Sequence, residues 1–393
     1  MTLTAIDCQS FAGGFSLGVV QAGFNLIGKR EHAGGFGSPA MLGNRHLLGY
    51  EWELEAGDAA TWTPLEADLV FGNPPCSGFS NRSVSIRGKQ DDGSIAKIQF
   101  RGVDSVANSC MWDLVRYAAK CNPKIVMFES VQGAYTKGKS LMQELRRELE
   151  TLTGQTWALY HVLHNVADLG GAQARPRYFW VASRIPFGVT IPAAEARTAR
   201  DRIADLQDKP LGSVPGHVIV DSVQSARITE LASKAAWLPD ETSGHAYARA
   251  VEQGVDLDLW NAPLVSDKGT TQFAPRRMSY DKPSRVLAGD APMKVVHPEL
   301  PRNLTHREIA RLSGFPDEWS CDPYIAKKGN LYFWGKGICV EAGQWIASAA
   351  HAAIEGNPAG YQGSLIGPNE YLINTSKVDD SVRGLPAPLF ELA

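Results

Sequence analysis

A cysteine placed for nucleophilic attack stands in the run Phe71-Gly72-Asn73-Pro74-Pro75-Cys76-Ser77-Gly78-Phe79-Ser80, directly after the apolar segment Asp68-Leu69-Val70. The two prolines fix their own φ angles, so a loop leaving a buried strand there is stiff and aims the sulfur. A thiol so held can attack a ligand that enters a cleft. A lone cysteine is otherwise a small buried hydrophobe, so other segments must decide between the two. One of them is Asp7-Cys8-Gln9-Ser10-Phe11-Ala12-Gly13-Gly14-Phe15, a glycine-containing loop between the first strand and the first helix. Glycines there let a backbone approach a ligand at the carboxyl end of a sheet, where doubly wound folds bind cofactors. Glu31 closes the second strand at a distance suited to ribose hydroxyls. Asp58, after the third strand, could accept from an adenine amino group.

These side chains need a scaffold, and the chain supplies one. Its 393 residues are 44% hydrophobic and 21% charged, ordinary for one large globular domain or two. The net charge of −3 means that a nucleic-acid partner must meet a local basic surface. Six cysteines (Cys8, Cys76, Cys110, Cys121, Cys321, Cys339) form no C-x-x-C pair, which argues against a disulfide framework or structural zinc and fits a reducing compartment. No basic-apolar leader and no bilayer-length apolar run occur, so the expected location is the cytoplasm of a bacterial or phage-infected cell. Strands are expected over 3–6, 24–28, 67–71, 124–128 and 178–182, with helical patterns over 15–22, 111–120 and 140–151. This alternation implies a parallel sheet covered on both faces. After Pro186 the chain turns irregular, helical periodicity returns over 305–313 and 340–354, and 356–393 reads as a surface tail.

In order, these segments resemble the motifs of the cytosine-C5 DNA methyltransferases. Asp7 to Phe15 resembles the family's first motif, Asp-Leu-Phe-Ala-Gly-x-Gly-Gly-Phe, and Gly72 to Ser80 its Pro-Cys motif. Phe128-Glu129-Ser130-Val131 is similar to Glu-Asn-Val. Gln173-Ala174-Arg175-Pro176-Arg177 matches Gln-x-Arg-x-Arg, and Arg302 to Glu308 with Phe315-Pro316 resembles the segment before the last motif. The resemblance implies an α/β fold: a doubly wound, mostly parallel sheet of the S-adenosylmethionine-dependent methyltransferase type, spanning 1–188 and 328–355. A smaller, irregular target-recognition domain is expected over 189–327.

It also implies a chemistry. Carbon 5 of cytosine is too weak a nucleophile to take an alkyl group until a thiolate adds to carbon 6 and makes an enamine. Cys76 is the expected thiolate. Glu129 would hold ring nitrogen 3 and the exocyclic amine and supply a proton. Arg175 would contact the base edge, with Arg177 supporting it. Asp7, Gln9, Phe11, Gly13, Gly14, Phe15, Glu31, Asp58, Asn73 and Pro74 are the expected donor site. The base must leave the stack to be reached, and the expected partner is double-stranded DNA, bound by a monomer. Ser80 and the long polar stretch 81–101, with Arg82, Arg87, Lys89 and Arg101, are expected to close over that DNA. Trp237, His245 and Trp260 are either base readers or core.

Several positions depart from the family pattern. Phe11 stands where the first motif has its first glycine, Gln9 where it has phenylalanine, and Ser130 where Glu-Asn-Val has asparagine. Phe333-Trp334-Gly335-Lys336-Gly337-Ile338 resembles the last motif, but Lys336 replaces the asparagine that lines the donor's methionyl end. A lysine roughly 5 Å from a sulfonium, at an effective dielectric near 20, costs about 3 kcal/mol. The sign reverses if the transferred group carries a carboxylate, as in carboxy-S-adenosylmethionine. The expected donor is therefore S-adenosylmethionine or its carboxylated form. The rivals are a transfer-RNA cytosine enzyme and an inactive DNA-binding member of the family.

Overall fold

Every residue of Leu69–Gly72 and of Ile125–Ser130 is buried, as near-continuous apolar runs require of a sheet covered on both faces. The structure, a computed structural model, describes residues 2–32, 37–76, 78–79, 86–89, 95–98, 102–192, 195–259, 274–288, 291–322, 335 and 337–377. Its strands up to the end of the Gln-x-Arg-x-Arg segment are β1 (Thr4–Cys8), β2 (Asn25–Glu31), β3 (Glu53–Ala56), β4 (Leu69–Gly72), β5 (Ile86–Lys89), β6 (Ile95–Ile98), β7 (Ile125–Ser130), β8 (Ala158–Asn165) and β9 (Gln173–Ala174). After them come β10 (Pro176–Ser183), β11 (Arg276–Arg277), β12 (Ser284–Arg285), β13 (Val295–Val296), β14 (Ser364–Gly367) and β15 (Glu370–Asn374).

Nine of these form one sheet in the order β14-β15-β8-β10-β7-β4-β1-β2-β3. β3, β2, β1, β4 and β7 run parallel, and β10 lies antiparallel between β7 and β8. The fold is thus mixed α/β around a large, mostly parallel sheet. Alternate residues serve opposite faces. Leu69 and Phe71 join the core under the helices Gly14–Gln21 and Val340–Ile354. Val70 joins the core under Ser109–Cys121 and Gly133–Thr153.

The glycines of the first loop serve helix packing. A Cβ on Gly14 would overlap the Ile338 carbonyl, and one on Gly18 would overlap the backbone at Gly343 and Gln344. The helix Gly14–Gln21 therefore crosses Val340–Ile354 at near backbone contact. Gly14→Ala forces the two apart, and a loss of about 1–3 kcal/mol of stability is expected in urea unfolding.

Two features were not anticipated from sequence. β8 carries His161 and His164 in an otherwise apolar strand, which hides its pattern. The stretch read as a tail supplies β14 and β15, which extend the sheet beyond β8. A buried network holds them: His161 Nδ1 lies 2.8 Å from the Tyr178 hydroxyl, and its Nε2 lies 2.9 Å from Glu370 Oε1. Both strands are short and half exposed, so no apolar alternation marks them.

The middle of the chain has its own small core of Ile228, Leu231, Trp237, Ala246, Ala250 and Val296. It rests on the helices Val223–Lys234 and Ser243–Glu252. Trp237 belongs to this core, with its Nε1 donating to the Glu241 carbonyl at 3.0 Å. His245 is exposed, and Trp260 lies outside the described residues. Among the described residues, no helix is long and apolar enough to cross a membrane.

Candidate active site

β4 and β7 are parallel neighbours with Gly72 opposite Phe128, so Asn73, the first residue past β4, comes beside Glu129 near the end of β7. Asn73 Nδ2 donates to Glu129 Oε2 at 2.6 Å. β10 pairs Phe179 with Glu129, and Arg177, two residues earlier on the same face, sets its Nε 2.8 Å from Glu129 Oε1. Asn73, expected against the donor, is a second anchor of this carboxyl group.

Cys76 is half-buried on the loop after β4. The Phe79 amide donates to the Cys76 carbonyl at 3.1 Å, closing a turn behind the sulfur. The Phe79 ring then seats against Gly138, where an added Cβ would come within 2.5 Å of it. Gly138 has non-helical φ and ψ inside Gly133–Thr153. The glycine thus makes the notch that pins the nucleophile loop. Phe79 was not expected as a positioning residue; the sequence signal was an aromatic three residues after the cysteine.

Electrostatics couple the pair. Burial pushes the Cys76 thiol up, Glu129 pushes it further, and Arg177 and Arg175 oppose both. Burial raises Glu129 to about 7 against Arg177, Arg175 and the Asn73 hydrogen bond. A proton on Glu129 therefore removes a charge that disfavours the thiolate.

The two arginines divide the work differently from the sequence expectation. Arg175 is 1% exposed, and its guanidinium donates to the carbonyls of Leu287, Gly335 and Gly337 at 3.1, 2.9 and 2.7 Å. With its amino groups committed to backbone, it clamps the strand to two distant segments, and burial lowers it to about 10. Gln173 does the same, donating to Leu312 O at 3.1 Å and Ser313 Oγ at 2.9 Å, while β9 pairs with β12. Of the motif's three polar side chains only Arg177 reaches the acid. Arg175→Ala strands two buried carbonyls and a partly buried third, and a loss of about 3 kcal/mol is expected in thermal or urea unfolding.

On the donor side, Asp7 is closed off from solvent. It accepts from Ser10 and, at 2.7 Å, from Ser16, and it pairs with Lys29 Nζ at 3.2 Å. Phe15 is likewise buried, its ring 4.8 Å from that of Phe71. Gly13, at φ 84, leaves room for the Trp319 ring. Asp7, Gly13, Gly14 and Phe15, expected at the donor, are packed into the wall behind the loop. Pro74 is buried in the nucleophile loop.

Gln9 and Phe11 adopt left-handed φ values of 66 and 39. The family's glycine at the second position suits that conformation, and a phenylalanine there carries strain of order 1 kcal/mol. Glu31, 6% exposed, ends β2 with Oε2 3.4 Å from Lys29 Nζ. Burial would lower Lys29, but Asp7 and Glu31 together hold it above its ordinary value. Lys29 was missed, although a lysine two residues before Glu31 in a buried strand was a signal. Asp58 is exposed and caps the turn 59–61, accepting from the Ala60 amide at 3.0 Å.

Ser80, Arg82, Arg101 and Lys336 lie outside the described residues. Arg87 and Lys89 lie on β5, which pairs antiparallel with β6 and sets Arg87 opposite Lys97.

Comparison with known proteins adds a frame to this geometry. A family model described as C-5 cytosine-specific DNA methylase matches residues 3–351. The type II methyltransferase M.NgoPII of Neisseria gonorrhoeae is 25% identical over 221 residues, 53% of this chain and 59% of that protein. The type II methyltransferase M.AquIA of a Picosynechococcus strain is 30% identical over 199 residues, 46% of this chain and 71% of its own length. Among solved structures, a DNA modification methyltransferase encoded within an E. coli prophage superposes with a TM-score of 0.57 at 17% identity, covering 90% of this chain and 99% of that one. That likeness is one of fold.

Proposed function

Because this chain belongs to the C-5 cytosine-specific DNA methylase family, we propose that it alkylates carbon 5 of a cytosine flipped out of duplex DNA, through a transient bond from Cys76 to carbon 6. One observation carries the reading. A loop thiol, a buried carboxyl raised to about 7 and a guanidinium converge at the carboxyl ends of β4 and β7 and the start of β10.

Glu129, held by Asn73 and Arg177, donates its proton to ring nitrogen 3 as the Cys76 thiolate adds to carbon 6. Neutralising Glu129 and creating the thiolate help each other, because one charge replaces another in the same enclosure. Arg177 keeps the carboxyl aimed at the base, and Arg175 holds the strand that carries Arg177. The stretch with Arg87 and Lys89 meets DNA phosphates, whose binding weakens with salt.

The residues present fit a sulfonium donor with a ribose: Glu31 offers a carboxylate at the end of β2, and the buried Gln9 Oε1 has no hydrogen-bond partner. When bound, the donor supplies the electrophilic carbon. S-adenosylmethionine is the first reading. Lys336, Phe11 and Gln9 at positions where the family has other residues support a second, carboxy-S-adenosylmethionine giving 5-carboxymethylcytosine.

The test incubates the protein with unmodified duplex DNA and each donor in turn, then weighs the released nucleosides. A mass gain on cytosine with either donor supports the reaction, and no gain with either rejects it. Only 5-methylcytosine, with Lys336→Asn making no difference, rejects the carboxylated donor. A duplex with fluorine on carbon 5 of the target is expected to trap the protein covalently, since no proton can leave that carbon.

A further inference from the structure

Four cationic side chains gather around one small cavity formed by β11, β12 and the residues that join them. The cavity, about 50 Å³, is lined by Arg276, Arg277, Lys282 and Arg285, with Asp240 as the one acid among its described lining residues. Met278 and Leu287, both buried, give it an apolar wall, and Val286, 40% exposed, stands at its edge. A chain of net charge −3 thus sets four positive charges against one negative at a single place. Like charges held together repel, and a bound anion relieves that repulsion.

These cations keep donors to spare. Arg285 is exposed and makes no hydrogen bond or ion pair among the described residues. Lys282 Nζ lies 2.5 Å from Asp240 Oδ2, with its side chain 56% exposed. Arg276 commits one amino group, to the Asp240 carbonyl at 2.6 Å. Burial and then Arg285 push Arg276 below its ordinary value against Asp240, as expected of two guanidinium groups at close range. A second, independent observation comes from Arg277, which is 5% exposed. Its Nη1 donates to the carbonyls of His297 and Pro298 at 3.1 and 2.8 Å, while its Nε is buried without a hydrogen-bond partner among the described residues. An oxygen anion in the cavity that this side chain lines offers the missing acceptor.

The cavity is also tied to the catalytic strand. β12 pairs with β9, setting Arg285 opposite Ala174, and the Leu287 carbonyl accepts from Arg175. Ala174 stands three residues before Arg177, which pairs with Glu129, and three residues of extended chain span about 10 Å. Resting on the reading that the substrate is duplex DNA, we propose that this cavity seats one sugar-phosphate unit of the substrate strand, close to the base held at Glu129. Arg276, Lys282 and Arg285 surround the phosphate, and Val286 meets the deoxyribose. The site supplies a local basic surface of the kind that the net charge demands.

The test measures binding of the full chain, without donor, to a fluorescent mixed-sequence duplex, so it does not depend on transfer. Arg285→Gln and Lys282→Gln, both at exposed positions, are each expected to weaken binding about fivefold at about 0.15 M salt. Each is expected to reduce the steepness of log affinity against log salt by about 0.9, and the double variant to lose about 25-fold. Arg116→Gln, which removes an exposed cation from the helix Ser109–Cys121, is expected to change neither quantity. In steady-state transfer the double variant is expected to show its loss in KM for the duplex, with kcat kept. Unchanged affinity and salt dependence in the folded double variant overturn the proposal and leave the transfer reading standing. Absence of duplex binding by the natural protein overturns it too, as does a loss seen with folded RNA and not with duplex. A loss of duplex binding in variants of a protein that transfers no group supports the site and rejects the reaction.

Discussion

Replacing Cys76 with serine is expected to lower alkyl transfer by at least roughly 10⁴-fold while leaving the fold and duplex binding in place. Serine is nearly isosteric, so the Phe79 amide still closes the turn on the residue-76 carbonyl and the Phe79 ring keeps its notch at Gly138. What is lost is nucleophilicity. An alkoxide is far harder to form than a thiolate, and among the described residues the charged groups acting on position 76 are Glu129, needed as an acid, and Arg175 and Arg177. Transfer of label from the donor to DNA measures the loss, and a gel-shift titration measures retained binding. Turnover within tenfold of the natural protein would remove Cys76 from the mechanism and the covalent route with it.

Glu129→Gln is expected to have the second-largest effect, a fall in kcat of about 10²–10⁴-fold with a smaller change in KM. Glutamine still fits between Asn73 and Arg177 and can still donate a hydrogen bond to the base. It cannot deliver a proton, so the addition step loses its acid. The same substitution has a signature in stability. The folded protein raises this carboxyl from 4.5 to about 7 because burial outweighs Arg177, Arg175 and Asn73. A group whose folded pKa lies above its unfolded one contributes stability that is complete below the unfolded value and is lost as pH rises through the folded value. Between pH 4 and pH 8 the natural protein is therefore expected to lose about 3 kcal/mol relative to Glu129→Gln. Urea unfolding of both proteins across that range checks it, and parallel pH profiles would show that the carboxyl is not held neutral.

The order and type of the main elements were legible because local physics writes them. Leu69–Gly72 and Ile125–Ser130 are apolar runs that make sense only as doubly covered strands, and the helix Val340–Ile354 announces itself by period. Cys76 and Glu129 stand out in the sequence too, since a thiol after Pro-Pro and an acid closing an apolar strand are unusual placements, and the roles proposed for them start from that. Partners were not legible. Arg175 and Arg177 are two residues apart and alike in sequence. Yet one donates to the carbonyls of Leu287, Gly335 and Gly337, and the other pairs with Glu129. Which does which depends on partners 48 to 162 residues away in the chain. The glycines of the first loop also make room for Trp319 and Ile338, which the sequence did not announce.

By itself, the sequence determined the α/β class and the order of the main strands, and it singled out the thiol and the acid proposed to react, because each follows from residues adjacent in the chain. The tertiary structure alone decided that Asn73 and Arg177 anchor Glu129, that Asp7 and Lys29 form a buried pair behind Glu31, and that Ser364–Gly367 and Glu370–Asn374 extend the sheet. Those outcomes depend on strand register and on burial, and both are set by segments far apart in the chain meeting across a common core.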